Sequence, residues 1–133
     1  MTQNPVATIL VVDDEEDVLT FIGTLLEDNG YVVTKAMNGK EGFAKAKAEL
    51  PDLILLDISM PEESGVRMYR NVCGDAQTKH IPVVILTGVS HEFKRFIETR
   101  RQVPPPAGYF DKPPDRDQLL AKIKELLGSK TAV

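Results

Sequence analysis

Three short runs along the chain are almost purely apolar: "TILVV" at 8–12, "LILL" at 53–56 and "VVIL" at 83–86. Continuous rather than alternating apolarity predicts strands covered on both faces, the condition of a parallel sheet. Two weaker runs, "YVVTKA" at 31–36 and "GYF" at 108–110, are less apolar, which suits the edges of such a sheet. Between these runs the period changes to that of a helix. Val18, Leu19, Ile22, Leu25 and Leu26 form one stripe, closed by Asn29-Gly30 as a C-terminal signal. Leu119, Leu120, Ile123, Leu126 and Leu127 form another, ended by Gly128. Asn38 with Glu41, and Asp115 with Gln118, have capping-box spacing ahead of helical segments. A shorter helix is expected after Gly65, and a fourth helix carries Phe93, Phe96 and Ile97 at core-packing spacing.

Strand and helix thus alternate through five units, which makes the class α/β. Right-handed crossovers, with the two weak strands at the edges, give a doubly wound five-stranded parallel sheet of order 2-1-3-4-5. In that order the topological switch point lies between strands one and three, and ligands bind beyond the carboxyl ends of the strands there. The first strand ends in Asp13-Asp14 and the third in Asp57, so the pattern brings three carboxylates to the switch point.

Bulk properties narrow the setting. A chain of 133 residues is read as one domain, with a core over about 8–127 and short tails at 1–7 and 128–133. A net charge of −4 argues against direct binding to nucleic acid. A single cysteine, Cys73, leaves no internal disulfide, fits a reducing compartment, and reads as a packed or idle thiol. The start "MTQNPVATIL" lacks the layout of a signal peptide, and no apolar run reaches membrane-spanning length. The expectation is a cytoplasmic protein without membrane insertion. His80 and His91 have no neighbours that would make a metal or catalytic pair, and Lys94, Arg95, Arg100 and Arg101 read as a solvated basic face.

The run "DDEED" at 13–17 has two readings. Acidic residues at a strand-to-helix junction cap the helix and suit its dipole, and Glu15, Glu16 and Asp17 are read that way. For Asp13 and Asp14 capping and ligation both stay open on those residues alone. Asp57 adds weight to ligation, because three converging carboxylates repel unless a cation sits among them. Hard divalent cations take oxygen ligands, and Mg²⁺ is commonly held by one or two carboxylates plus waters and phosphate oxygens. Thr87 follows "VVIL" and Lys112 follows "GYFD", so a hydroxyl and an ammonium join the same edge. A nucleophilic carboxylate beside a divalent ion, a hydroxyl and a lysine is suited to phosphoryl transfer.

In these motifs, "VVDDEED", "LILLDISMPEESG", "VVILTG" and "GYFDKP", the chain resembles the receiver domain of two-component response regulators, from about Thr8 to Leu127. The resemblance implies a flavodoxin-like (βα)5 fold and a phosphorylation-controlled switch. Asp57 would be the phospho-acceptor, served by a sensor histidine kinase, a histidine phosphotransfer protein or a small phosphodonor. Mg²⁺ would be held by Asp14 and Asp57, by Asp13 through water, and by the backbone carbonyl of Ser59. Thr87 and Lys112 would bond phosphoryl oxygens, and Tyr109 matches a switch aromatic that turns inward as the threonine moves. Ser59 and Val89 match positions that tune hydrolysis of the phosphoryl group, and Pro61 and Gly65 match the loop after the acceptor. A downstream protein target would dock on the face of helix four, strand five and helix five. The Lys112-Pro113 bond is expected to be cis. Two departures stand out: Gly88 replaces a more usual alanine, and Thr87 to Lys112 is longer than common around Pro104, Pro105 and Pro106.

Two other functions are weighed. A Mg²⁺-dependent aspartyl phosphatase needs a second acid near its nucleophile, and position 59 is serine. A receiver-shaped module that binds partners without phosphorylation is opposed by the intact acceptor, acids, hydroxyl and lysine.

Overall fold

Element boundaries follow from how the backbone is paired. A computed structural model describes residues 6–60, 64–88 and 105–128. Its elements run β1 (Thr8–Val12), α1 (Glu16–Asp28), β2 (Val32–Ala36), α2 (Gly39–Glu49), β3 (Leu53–Asp57), α3 (Ser64–Gly74), β4 (Val83–Thr87), β5 (Gly108–Asp111) and a C-terminal helix (Arg116–Leu127). The strands form one parallel sheet in the order β2-β1-β3-β4-β5, the order that the apolar pattern predicts. β3 and β4 are buried at every position, whereas β2 and β5 are partly exposed, as edges should be. The expected helix carrying Phe93, Phe96 and Ile97, the basic residues Lys94, Arg95, Arg100 and Arg101, and Pro61, Val89, His91 and Pro104 lie outside the described residues.

Because side chains alternate across a strand, the sheet feeds two separate cores. Leu10, Val12, Ile54, Leu56, Val83 and Ile85 meet Ala46, Met68, Tyr69 and Val72 of α2 and α3. Ile9, Val11, Leu53, Leu55, Val84 and Leu86 meet Leu19, Ile22 and Leu26 of α1 and Leu119, Ile123 and Leu127 of the C-terminal helix. Each large aliphatic or aromatic side chain so buried stabilises the fold by roughly 1.5–3 kcal/mol relative to exposure. α2 has few large apolar residues and instead closes in through glycines. A Cβ on Gly42 would lie 2.6 Å from Met68 Sδ and 2.9 Å from Val12 Cγ2.

The helix ends agree with the predicted caps, with two differences. Asn38 Oδ1 accepts from Glu41 N at 2.8 Å, and Asp115 Oδ1 accepts from Gln118 N at 2.9 Å. Glu41 completes the first box one residue early, its Oε1 accepting from Met37 N at 2.7 Å. At α1 the capping position falls on Glu15, which makes no side-chain capping bond. Its carboxylate lies 3.7 Å from Lys112 Nζ instead, while Glu16 and Asp17 occupy the first turn as expected. α3 (Ser64–Gly74, 11 residues) is shorter than α1 at 13 and the C-terminal helix at 12, as expected, but it takes in Gly65 rather than following it. Gly65 sits inside the first turn because that turn grazes β3, where no Cβ fits, and not because the chain breaks there.

Candidate functional site

The carboxyl edge of the sheet is built by extending the central strands one residue beyond their apolar runs. Asp57 pairs with Leu86 across β3 and β4, and Thr87 pairs with Asp111 across β4 and β5. Both site residues are therefore held by sheet hydrogen bonding rather than by a free loop. Lys112 is anchored one residue beyond β5, its N–H donating to the Thr87 carbonyl at 2.8 Å. The Lys112-Pro113 bond is cis, as expected. Asp13 is fixed by its own N–H to the Ala36 carbonyl at 3.1 Å, and Asp14 follows it on the exposed surface.

The side chains converge. Oxygens of Asp13, Asp14 and Asp57 lie within 4.8 Å of one another. Lys112 Nζ lies 2.7 Å from Asp13 Oδ2 and 3.2 Å from Asp57 Oδ2, with its side chain only 14% exposed. Asp57 Oδ1 accepts from Ser59 N at 2.8 Å and from Ser59 Oγ at 2.7 Å. The same hydroxyl accepts from Gly88 N at 3.2 Å, so Ser59 bridges the acid to the residue after Thr87. Thr87 is fully buried beside them. The structure thus brings together Asp13, Asp14, Asp57, Ser59, Thr87 and Lys112.

The electrostatics follow from burial. Burial pushes the Asp13 carboxyl above its ordinary value, against the lowering pull of Lys112 and the Glu15 N–H, and the Asp57 charge adds to the rise. Burial by itself would push the Lys112 ammonium down. The bonds and charges of Asp13 and Asp57 outweigh it, and its pKa is raised.

The donor set fits a hard cation. Asp13 Oδ1 accepts from Glu15 N at 2.9 Å, while the buried Asp13 Oδ2 has no partner of good hydrogen-bond geometry beyond its 2.7 Å approach to the Lys112 ammonium. A buried carboxylate oxygen in that state, with two further acids at hand, is suited to the shell of a divalent ion. Asp13, Asp14 and Asp57 are the residues that would hold a divalent ion such as Mg²⁺. When bound, the ion supplies positive charge that neutralises developing negative charge on phosphoryl oxygens.

Three features had no clear signal in the sequence. The Ser59 hydroxyl is engaged with Asp57, Glu15 stands near Lys112, and Tyr109 donates its hydroxyl to Asp111 Oδ1 at 2.9 Å. Only the last could have been suspected, since residues two apart share a strand face. Among the smaller features, His80 is exposed. Cys73 is half-buried, with a thiol pushed up by burial, which fits a packed and unreactive group.

Comparison with known proteins agrees with this geometry. The family model for the response regulator receiver domain matches residues 9–124. Protein PilH of Pseudomonas aeruginosa is 37% identical over 121 residues, covering 91% of this chain and 98% of its own. The polar-differentiation response regulator DivK of Brucella anthropi is 33% identical over 121 residues, covering 91% and 96%. A solved CheY-like response regulator receiver domain protein from Methanospirillum hungatei superposes with a TM-score of 0.81 at 30% identity, covering 95% of this chain and 97% of that one. With its parallel sheet, its acids at the switch point and these likenesses, the chain belongs to the response regulator receiver domain family of two-component signalling.

Proposed function

We propose that Asp57 accepts a phosphoryl group and that the chain works as a phosphorylation-controlled switch. The observation that carries this reading is the grouping around Asp57. One of its oxygens faces the Lys112 ammonium at 3.2 Å, with the Asp13 and Asp14 carboxylates within 4.8 Å. In the transfer an Asp57 oxygen attacks phosphorus and a P–O bond to the aspartate forms. The bond from phosphorus to the donor breaks, and the donor keeps the bonding pair. Lys112 neutralises charge on the transferred oxygens, and the Thr87 hydroxyl bonds one of them. Mg²⁺ is the cofactor this reading calls for, and Asp14, Asp57 and the Ser59 carbonyl would hold it, with Asp13 acting through water.

Receiver domains of this family work with histidine kinases or phosphotransfer proteins and with downstream targets. For this chain the donor is a phosphohistidine on such a partner. The output is a change in partner binding, or transfer of the phosphoryl group onward, at the face containing β5 and the C-terminal helix. Thr87 and Tyr109 carry the change to that face. The receiver unit spans about 8–127, and its setting is the cytoplasm. At position 59, where a turnover phosphatase would keep a second acid, a serine donates to Asp57, which supports a switch over a catalyst acting on other molecules.

The test is intact mass after incubation with acetyl phosphate and Mg²⁺, for the wild type and Asp57→Asn. One added phosphoryl group on the wild type alone is expected. Addition to both proteins would move the acceptor elsewhere. Addition to neither, from this donor or a phosphohistidine protein, would overturn phosphorylation as the trigger.

A further inference from the structure

Asp111 is an acid that the proposed chemistry does not use, yet it stands where the proposed switch would move. It closes β5, and its register partner on β4 is Thr87. Parallel partners point to the same side of a sheet, and so do residues two apart on one strand. Thr87, Asp111 and Tyr109 therefore share one face, that of Val83 and Ile85, with which Tyr109 packs. The Tyr109 ring is half-buried there, while its hydroxyl reaches along the strand and donates to Asp111 Oδ1 at 2.9 Å in exposed surroundings.

We propose that Asp111 is a positioning residue: a latch that holds the Tyr109 ring in its resting orientation and so sets how readily the switch is thrown. The inference rests on the reading of Tyr109 as the switch aromatic. Side chains occupy discrete staggered wells, and the hydroxyl lies at the far end of the tyrosine, so a change of χ1 moves it by several ångströms. The bond to Asp111 does not survive such a turn. A hydrogen bond made only in the resting form stabilises that form, and by linkage weakens whatever favours the other. An exposed bond from a phenol to a carboxylate corresponds to a bias of roughly 3- to 10-fold between the two forms.

Two measurements decide the matter. The first is a double-mutant cycle of thermal unfolding on the unmodified protein with Tyr109→Phe, Asp111→Ala and the pair. Non-additive losses are expected, and additive ones would mean that the bond holds nothing. The second is titration with beryllofluoride in saturating Mg²⁺, a phosphoryl mimic, followed by the rise in Tm with ligand concentration. Asp111→Ala is expected to bind about 3- to 10-fold more tightly than wild type, and Asp111→Asn, which keeps an acceptor oxygen, to restore part of the difference. In a Tyr109→Phe background the Asp111 substitution should have no effect. If the gain persists there, Asp111 acts by general charge near the site and the latch is refuted. Equal affinity of Asp111→Ala and wild type would refute it too, while leaving phosphoryl acceptance intact. Failure of wild type to bind beryllofluoride at all would instead overturn the phosphoryl reading, and the latch with it.

Discussion

Gly65 offers the sharpest test of how the fold positions Asp57. A Cβ at this position would lie 2.2 Å from the Asp57 carbonyl oxygen and 2.7 Å from Ile58 Cα. Carbon–oxygen contacts are ordinarily about 3.3 Å or more, so Gly65→Ala must open the gap between α3 and β3 by roughly 1 Å. The obstacles are backbone atoms of a buried strand end and cannot swing aside. Overpacking of this kind costs about 1–3 kcal/mol or more, and alanine returns up to about 1 kcal/mol of helix propensity. The net loss is taken as about 2 kcal/mol. An unfolding entropy near 2.1 cal/mol/K per residue gives about 0.28 kcal/mol/K for 133 residues, so Tm should fall by about 7 °C. The assay is thermal unfolding by circular dichroism, with Gly74→Ala as control. A Cβ on Gly74 meets nothing within 4 Å, and its Tm should stay the same or rise by about 2 °C. Phosphoryl incorporation from acetyl phosphate should slow in Gly65→Ala alone, because the strain falls on Asp57 and Ile58. A Gly65→Ala protein melting within about 2 °C of wild type would show that the close approach of α3 is not a constraint.

Other expectations concern the acidic pocket. Mg²⁺ at ten times its Kd should add about 1.4 kcal/mol, or roughly 5 °C in Tm, to wild type and nothing to Asp14→Ala; an unchanged shift in the variant would remove Asp14 from the metal shell. Lys112→Met strips the ammonium from two buried carboxylates. It should cost about 2–3 kcal/mol in chelator by urea unfolding, less than the usual 3–5 because Asp13 can take up a proton, and Mg²⁺ should bind it more tightly than wild type. A Mg²⁺ affinity that is unchanged or weaker would mean that the lysine does not compete for these oxygens. The raised pKa of Asp13 fixes a sign: its contribution to stability is fully present below the ordinary carboxylate pKa and is lost as pH rises through the folded value. In chelator, wild type should therefore gain on Asp13→Asn as pH falls from neutral toward 4, and a pH-independent difference would contradict the assignment.

Much of this was legible in the chain because it rests on periodicity. "LILL" and "VVIL" predict strands buried on both faces, and β3 and β4 are buried throughout. Topology then carries Asp13, Asp57, Thr87 and Lys112 to one edge without further information. What was not legible depends on rotamers and on a single turn of backbone. The acidic run did not say that Glu15 would stand at the capping position without capping, because that depends on where Asp13 Oδ1 finds its donor. Ser59 was read for its backbone carbonyl, whereas its hydroxyl bridges Asp57 and Gly88, two residues brought together only by the pairing of β3 with β4. Gly65 looked like a helix boundary because glycine is the usual punctuation, and its real constraint is a neighbour eight positions earlier in the chain.

The division of the interior by the sheet has a consequence for how this chain can change over time. Among the described residues, those of the α2–α3 side and of the α1–C-terminal-helix side share no packing surface except the strands between them. A volume change on one side, such as Met68 to a smaller residue, is absorbed among its own neighbours. It reaches the other side only by bending strands pinned by hydrogen bonds on both flanks. The two sides can therefore drift in sequence nearly independently, each exploring new surface contacts, while the carboxyl edge at their junction keeps its geometry.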